Sequence, residues 1–301
     1  MSEVWLVTGA DGMLGRELVA RSPARGIDVL AAGRGRLDIT DAEAVRAVLD
    51  RYGPAVVVNC AAWTDVDAAE SHEAQALAVN GHGPARLAEA CRSRGTTLLH
   101  LSTDYVFAGD AGRPYAETDT PAPRTAYGRT KLAGERAVLT TLPETGHVVR
   151  TAWLYGAGGR NFVRTVRGLE AVRDAIDVVD DQRGQPTWTA DVADRLILLG
   201  RSARAGTAPP GIFHATASGE ASWYDLACEV FRLLGAEPSR VRRTTSAARP
   251  RPAPRPACSV LGHGRWPEAG MAPLRHWRNA LEEAFPALSA AEEGRRARQA
   301  S

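Results

Sequence analysis

Short apolar runs alternate with longer stretches of helical spacing through the first half of the chain. Residues 55–62 are almost entirely apolar, which is typical of a strand buried on both faces of a parallel sheet. Between such runs, apolar positions recur three and four residues apart, as in amphipathic helices. This alternation predicts a doubly wound parallel α/β sheet. The predicted strands are residues 4–7, 28–32, 55–62, 97–101 and 147–151, and the predicted helices are 16–20, 42–51, 74–94 and a stretch containing 127–131.

The alternation becomes less regular after Gly156. A run rich in arginine and proline, residues 249–256, cannot be the interior of a helix. It is either a disordered spacer or an extended segment that brings cations to an anionic substrate. The tail at 292–301 carries three arginines, and we expect it to be frayed and solvated. The other predicted elements are helices at 161–173, 191–199 and 222–234 and strands at 176–179 and 211–215.

A glycine-rich turn follows the first predicted strand at once. Gly9, Gly12 and Gly15 have the spacing GxxGxxG and lead into a helical pattern. Gly9 would allow a tight turn, Gly12 a close approach of backbone amides to a pyrophosphate, and Gly15 close packing of helix on strand. Because a helix N-terminus attracts anions, the stretch predicts a dinucleotide site. Glycine turns after strands also occur without a ligand, and the usual fingerprint is GxGxxG.

The regular alternation ends near Gly156, and we divide the chain there into two parts. We expect residues 1–152 to form a Rossmann domain that binds NADP, and residues 153–301 to form a smaller C-terminal α/β substrate domain. Residues from about 175 to 210 are expected to return to the first domain.

The end of the second predicted strand bears on the choice of cofactor. An acidic residue there would bind the ribose 2′-hydroxyl of NAD, whereas an arginine suits a 2′-phosphate. Arg34 therefore favours NADPH, with NADH as the alternative, and Asp38 is placed to meet the adenine. The competing interpretation is that Arg34 is a solvated loop residue in an arginine-rich chain.

Bulk composition excludes several classes of partner. The chain has 301 residues and a formal net charge of +2, so nothing global indicates nucleic acid or a membrane surface. Its four cysteines form no CxxC pair and predict neither a disulfide framework nor a zinc site. No apolar run approaches the ~18 residues of a membrane span, and no signal peptide is recognisable. We expect a soluble cytoplasmic protein.

The single lysine of the chain lies four residues after a tyrosine. Lys131 is the one lysine among 37 basic residues, and Tyr127 precedes it by one helical turn, so both side chains would share a helix face. A nearby ammonium favours the phenolate and would lower the pKa of the tyrosine. The alternative is a solvated helix face. Ser102 and Thr103 end a predicted strand where open α/β sheets place ligands, although they could also be ordinary capping groups.

Together, these motifs resemble those of the extended short-chain dehydrogenase/reductases. More narrowly, the chain is similar to the dTDP-4-dehydrorhamnose reductase family, from residue 4 to about residue 281. The narrower likeness lies in residues 150–156 (RTAWLYG), 181–187 (DQRGQPT), 211–214 (GIFH), 222–224 (SWY), 255–257 (RPA) and 274–277 (LRHW).

The resemblance implies a reductase that uses NADPH on a dTDP-4-keto-6-deoxy sugar. Tyr127 would donate a proton to the C4 oxygen, Lys131 would hold the nicotinamide ribose, and Thr103 would hydrogen-bond the reacting oxygen. The implied substrate contacts are Thr103, Asp104, Tyr105 and Trp153. The implied cofactor contacts, in addition to those already derived, are Met13, Leu14, Ile39, Ala61, Ala62 and Trp63.

Some family features are absent or altered here. Trp63, Cys258 and Gly262 stand where the family usually has other residues. Some members bind magnesium through glutamates at a dimer contact, but residues 188–190 contain no glutamate, so we predict no metal. A homodimer is compatible with the resemblance.

Three other functions compete with the reductase. A dehydratase of this superfamily would have a second acid after Asp104, where this chain has Tyr105. An epimerase would keep NAD tightly bound and consume none. A non-catalytic regulatory subunit would not need the complete set of Thr103, Tyr127 and Lys131.

Overall fold

Twelve strands and eleven α-helices make up the fold of residues 3–300, whose backbone is described by a computed structural model that also places the side chains of residues 3–291. The strands are β1 (Glu3–Thr8), β2 (Ile27–Ala32), β3 (Val56–Asn59), β4 (Thr97–Thr103), β5 (Gly146–Thr151), β6 (Leu154–Tyr155), β7 (Ile176–Val179), β8 (Arg183–Gly184), β9 (Thr187–Trp188), β10 (Gly211–His214), β11 (Ala221–Ser222) and β12 (Val241–Thr244). The helices are α1 (Met13–Arg21), α2 (Ala42–Tyr52), α3 (Val66–Ser71), α4 (Glu73–Leu77), α5 (Gly83–Arg92), α6 (Ala126–Thr141), α7 (Phe162–Glu170), α8 (Thr189–Arg204), α9 (Trp223–Leu233), α10 (Arg265–Glu268) and α11 (Trp277–Ala300).

The central sheet has six strands in the order β2-β1-β3-β4-β5-β10, and every neighbouring pair is parallel. The chain starts in the middle of the sheet, moves outward to β2, and then returns past β1 to β3. This reversal creates a crevice at the carboxyl ends of β1 and β3, which is where open α/β sheets bind ligands. The predicted doubly wound parallel sheet is confirmed.

Helices cover both faces of this sheet, which explains the apolar run at 55–62. Val56 and Val58 belong to one core cluster, with side chains of α1 and α8, whereas Val57 belongs to a second cluster, with side chains of α2, α5 and α6. All three side chains are fully buried. Because successive residues of a strand point to opposite faces, both faces of β3 must be apolar.

A separate core lies in the C-terminal part of the chain. It joins apolar residues of α7, α9 and α11 with those of β7 and β12, which pair in parallel. Within residues 175–210, β7 packs in this core, whereas α8 packs on α1 against the central sheet. The division at residue 152 stays a prediction.

The helix predicted at 74–94 is interrupted. It consists of α4 and α5, joined by a π-helical turn at Ala78–His82. The turn directs Asn80 inward, where its amide accepts a hydrogen bond from the Trp63 backbone N–H (2.8 Å) and donates one to the Trp63 carbonyl (3.1 Å). Such π-bulges are common at functional sites. Gly81 and Gly83 weaken the helix there, and this signal was overlooked because the apolar periodicity continues through it.

Two expectations concern the ends and surroundings of the chain. The prediction of a frayed, solvated tail at 292–301 lies outside the residues whose side chains are described. Among the described residues, none of the helices combines the length and the apolar character needed to cross a bilayer.

Candidate active site

A cleft of about 910 Å³ opens at the carboxyl ends of the central strands. It brings together every residue for which the sequence analysis predicted a cofactor or substrate contact. These residues are Gly9, Gly12, Met13, Leu14, Arg34, Asp38, Ile39, Ala61, Ala62, Trp63, Thr103, Asp104, Tyr105, Tyr127, Lys131 and Trp153. The cleft is also lined by Arg160, Gln182 and Trp223, which had no predicted role, and by Arg255 and Pro256 of the arginine- and proline-rich run. Most of these lie in the motif stretches at 181–187, 222–224 and 255–257, which could have indicated them.

The glycine turn forms one wall of the cleft. Gly9 has a φ of +64°, and a Cβ there would lie 2.5 Å from the backbone nitrogen of Ala61 at the end of β3. The Gly12 N–H donates to the Gly9 carbonyl at 2.9 Å, which closes the turn. Gly12 is the N-cap of α1, and no side chain caps that helix. The uncapped first turn of α1, next to a backbone free of side chains, fits a pyrophosphate.

Arg34 and Asp38 lie at the adenosine end expected from the sequence. The Arg34 side chain is 90% exposed, and its Nε is 3.9 Å from the Asp38 carboxylate. Asp38 accepts hydrogen bonds from the backbone N–H (2.9 Å) and hydroxyl (2.7 Å) of Thr40, and these bonds hold the pKa of Asp38 below its ordinary value. Arg34 is therefore a largely exposed cation on the rim of the cleft. Its contact with a 2′-phosphate stays a prediction.

Tyr127 is placed by the start of α6. The Thr125 side chain caps this helix by accepting from the Gly128 N–H at 3.0 Å, so Tyr127 lies in the first turn. The Thr103 hydroxyl donates to Asp104 Oδ1 at 3.0 Å and accepts from the Tyr105 N–H at 3.2 Å. Thr103 also lies close enough to the Tyr127 hydroxyl to act on the pKa of that tyrosine.

The pKa of Tyr127 differs from the sequence-based expectation. We predicted that Lys131 would lower it, but burial raises the pKa of Tyr127 to about 12. The neighbouring Thr103 hydroxyl acts to lower this pKa, and the charge of Asp104 adds to the rise. The prediction was wrong in sign because removal from water, which disfavours the phenolate, outweighs the neighbouring groups.

Lys131 is itself buried, and its Nζ donates to the Leu101 carbonyl at 2.6 Å. Burial lowers the pKa of Lys131 to about 8, while the charge of Glu135 acts in the opposite direction. Glu135 also accepts two hydrogen bonds from the fully buried Arg150, at 2.9 and 2.7 Å. A buried ion pair thus lies one turn beyond the lysine and favours its charged form.

Asp104 is a buried carboxyl group beside the tyrosine. Burial raises the pKa of Asp104 to about 6, against the lowering effects of Ser259 and Thr103. A negative charge here disfavours the Tyr127 phenolate, so the two groups are electrostatically coupled.

An aromatic stack also lines the cleft. The rings of Trp153 and Trp223 lie 3.5 Å apart and 6° from parallel, and Trp223 Nε1 donates to Gln182 Oε1 at 3.0 Å. Trp153 has a φ of +47°, which is rare for a residue with a side chain. Its ring packs so closely on Gly184 that a Cβ there would clash with it. Strained backbone of this kind is often found at functional sites.

The arginine- and proline-rich run is an extended segment, one of the two alternatives left open by the sequence. Residues 249–256 contain neither helix nor strand, and the run packs against α3 through Asp67. Its last members, Arg255 and Pro256, line the cleft.

A parallel sheet with a glycine turn at its crevice, and a Thr-Tyr-Lys set in the same cleft, define an oxidoreductase of the extended short-chain dehydrogenase/reductase class. Residues 3–290 match the family model described as the RmlD substrate binding domain. The chain belongs to this family, the dTDP-4-dehydrorhamnose reductases.

Individual relatives are similar in sequence to this chain along nearly its whole length. The chain is 64% identical over 284 residues to dTDP-4-dehydrorhamnose reductase of Streptomyces griseus, covering 94% of this chain and 93% of that one. It is 61% identical over 289 residues to a probable dTDP-4,6-dihydroxy-2-methyloxan-3-one 4-ketoreductase of Streptomyces antibioticus, covering 96% of each. A solved structure of dTDP-4-dehydrorhamnose reductase from Bacillus anthracis, in complex with NADP, has a TM-score of 0.89 and 33% identity, covering 95% of this chain and 99% of that one. These relatives confirm the resemblance and the prediction of an NADPH-dependent reductase.

Proposed function

We propose that the protein reduces the 4-keto group of a dTDP-4-dehydro-6-deoxyhexose, of the dTDP-4-dehydrorhamnose type, with Tyr127 as the proton donor. The observation that carries the proposal is that Tyr127, Thr103 and Lys131 line the same cleft as the glycine turn, where burial raises the pKa of Tyr127. Relatives that are matched over 93% and 96% of their length, and are named as reductases of dTDP-4-keto sugars, support the substrate class.

The glycine turn fits NADPH. Gly9, Gly12 and the first turn of α1 would hold the pyrophosphate, Arg34 the 2′-phosphate, and Lys131 the nicotinamide ribose. When bound, NADPH supplies the hydride that adds to the carbonyl carbon C4 of the sugar.

Tyr127 supplies the proton. As the C–H bond forms, the carbonyl π electrons move to the C4 oxygen, which takes a proton from the tyrosine hydroxyl. The raised pKa keeps Tyr127 protonated at neutral pH, and an alkoxide is a stronger base than a phenolate, so transfer is favourable. Thr103 orients the hydroxyl, and the charge of Lys131 offsets the phenolate that remains.

Among the described residues of the cleft, none provides the second acid of a dehydratase. The position after Asp104 is taken by Tyr105, whose ring lies edge-on to that of Tyr127 with centroids 5.7 Å apart. A phenol whose pKa is raised by burial cannot serve as the second carboxylic acid that elimination of water requires.

The test supplies candidate dTDP-4-keto-6-deoxy sugars with NADPH or NADH and follows the oxidation of the cofactor. We expect turnover, faster with NADPH, and a loss of about 10²- to 10⁴-fold in kcat for Tyr127→Phe. Tyr52→Phe, at an exposed tyrosine outside the cleft, is the matched control and should retain full activity. Absence of cofactor oxidation with every sugar, or full activity of Tyr127→Phe, would refute the proposal.

The homodimer and the cytoplasmic location stay predictions. Sedimentation of the purified protein and fractionation of the producing cells would test them.

A further inference from the structure

Four cationic side chains line the cleft: those of Arg34, Lys131, Arg160 and Arg255. Three of them are engaged by other groups of the protein. Arg34 and Arg255 form ion pairs with aspartates, and Lys131 donates to a backbone carbonyl. For Arg160, the described part of the chain provides neither an ion pair nor a side-chain hydrogen bond. The charge of Arg160 is therefore available to an anion in the cleft.

Arg160 is carried by a short loop, the residues between Gly156 and Asn161, which connects β6 to α7. Asn161 Nδ2 donates to the Gly156 carbonyl at 2.9 Å, which closes the loop. Asn161 Oδ1 accepts from the Arg164 N–H at 3.0 Å and so caps α7. Arg164 Nη1 also donates to the Gly159 carbonyl at 3.0 Å. These hydrogen bonds fix the backbone from which the Arg160 side chain extends.

The loop lies against the start of α1, the helix that follows the glycine turn. A Cβ at Gly159 would lie 3.5 Å from the Met13 Cβ, and a Cβ at Gly158 would lie 3.9 Å from the Met13 Cα. Asn161 Nδ2 lies 3.7 Å from the Met13 Sδ. Because Met13 is the first residue of α1, Arg160 follows directly on a contact with the N-terminus of that helix.

The N-terminus of α1 needs a second source of positive charge to bind a diphosphate. Its first turn has no side-chain cap and no acidic residue, so it presents the positive end of the helix dipole. That end is equivalent to roughly half a charge, whereas a diphosphate bridge carries about two negative charges. An arginine adds a full charge, and its forked N–H groups match the geometry of phosphate oxygens. Arg160 is the cation of the cleft that the loop brings to this helix end.

We propose that Arg160, together with the N-terminus of α1, binds the diphosphate bridge of the dinucleotide cofactor. This inference rests on the proposed placement of NADPH at the glycine turn. The loop follows Trp153 and β6, so the predicted substrate domain contributes a cofactor contact of its own. Cofactor binding then joins the two parts of the chain.

Fluorescence titration with NADPH and NADH, and calorimetric titration with dTDP, test the proposal. The two cofactors share the diphosphate and differ only in the phosphate on the adenosine ribose. We expect Arg160→Gln to weaken the binding of both by the same factor, about tenfold, with dTDP binding unchanged. Arg34→Gln, at the adenosine end, should weaken NADPH binding alone. In turnover, Arg160→Gln should raise the KM for NADPH and leave the KM for the sugar nucleotide at the wild-type value.

The matched control is Arg113→Gln, which removes the same charge outside the cleft. The Arg113 side chain is 64% exposed and pairs with Asp119, and it does not line the cleft. This variant should bind both cofactors with wild-type affinity. Arg160 is exposed as well, so Arg160→Gln should unfold at the same urea concentration as the wild type.

Wild-type affinity of Arg160→Gln for both cofactors would overturn the proposal. A loss confined to NADPH would assign Arg160 to the ribose phosphate, and a loss confined to dTDP would assign it to the sugar nucleotide. Either result would overturn the diphosphate contact. An equal loss in Arg113→Gln would show a general effect of net charge and would also count against the proposal. If the wild-type protein bound neither NADPH nor NADH, the proposed function itself would fail.

Discussion

Replacing Gly9 by alanine tests whether the glycine turn is shaped by its contact with β3. The new Cβ would lie 2.5 Å from the Ala61 nitrogen and 2.7 Å from both the Ala61 Cα and the Cys60 carbonyl carbon. All three are backbone atoms, and the Cys60 N–H donates to the Thr8 carbonyl at 3.1 Å, which fixes the end of β3 beside β1. The clash can therefore be relieved only by moving the turn or the strand.

Two costs add at this position. The φ of +64° costs a residue with a side chain about 1–2 kcal/mol, and overpacking against a fixed backbone costs about 1–3 kcal/mol more. We expect Gly9→Ala to lower the free energy of unfolding by about 2–5 kcal/mol. Gly26→Ala is the matched control, because Gly26 has a φ of +69° but no atom within 4 Å of its Cβ position. That variant should lose only the first part, about 1–2 kcal/mol.

Urea unfolding measures the loss of stability, and NADPH titration measures the loss of cofactor binding. Since relief of the clash displaces the turn, we expect Gly9→Ala to weaken NADPH binding at least tenfold, whereas Gly26→Ala should bind normally. Equal losses of stability in the two variants, together with normal NADPH binding by Gly9→Ala, would show that the contact with β3 does not shape the site.

Two further predictions concern buried ionisable groups, one outside the cleft lining and one within it. Glu135→Gln leaves Arg150 buried without its carboxylate and should cost about 3–5 kcal/mol of unfolding free energy, whereas Glu73→Gln, which removes the partner of an exposed arginine, should cost less than about 1 kcal/mol. Similar losses of unfolding free energy in the two variants, measured by chemical denaturation, would contradict this prediction. Burial raises the pKa of Asp104 from 3.8 to about 6, so the folded protein keeps a proton that the unfolded chain releases, and stability falls as the pH rises through that window. Asp104→Asn should therefore have the same free energy of unfolding as the wild type near pH 4 and exceed it by about 3 kcal/mol at pH 7. A difference between the two proteins that does not change with pH would refute the link between the protonation of Asp104 and stability.

The order of elements and the residues of the cleft could be predicted because their signals are local. A strand buried on both faces needs an apolar run, a helix at the sheet surface needs an apolar stripe, and a chain that approaches another backbone closely needs glycine. The run at 55–62 and the turn at Gly9–Gly15 carry these signals without reference to any distant residue. The carboxyl ends of parallel strands meet at one edge, so motifs at the ends of β1, β3 and β4 had to converge.

Contacts between residues far apart in sequence could not be predicted from such local signals. Arg255 and Asp67 are 188 positions apart, and neither lies in a pattern that indicates the other. Asn80 appeared to be part of a continuous helix, because its role depends on the Trp63 backbone, 17 positions away.

By itself, the sequence determined the parallel α/β fold, the dinucleotide turn and the placement of Thr103, Tyr127 and Lys131 in one cleft. The tertiary structure alone decided the protonation states of the side chains in that cleft. Tyr127 is a protonated acid with a raised pKa, instead of the acidified phenol expected from its lysine neighbour, because the free energy of a charge depends on how completely the surrounding elements exclude water.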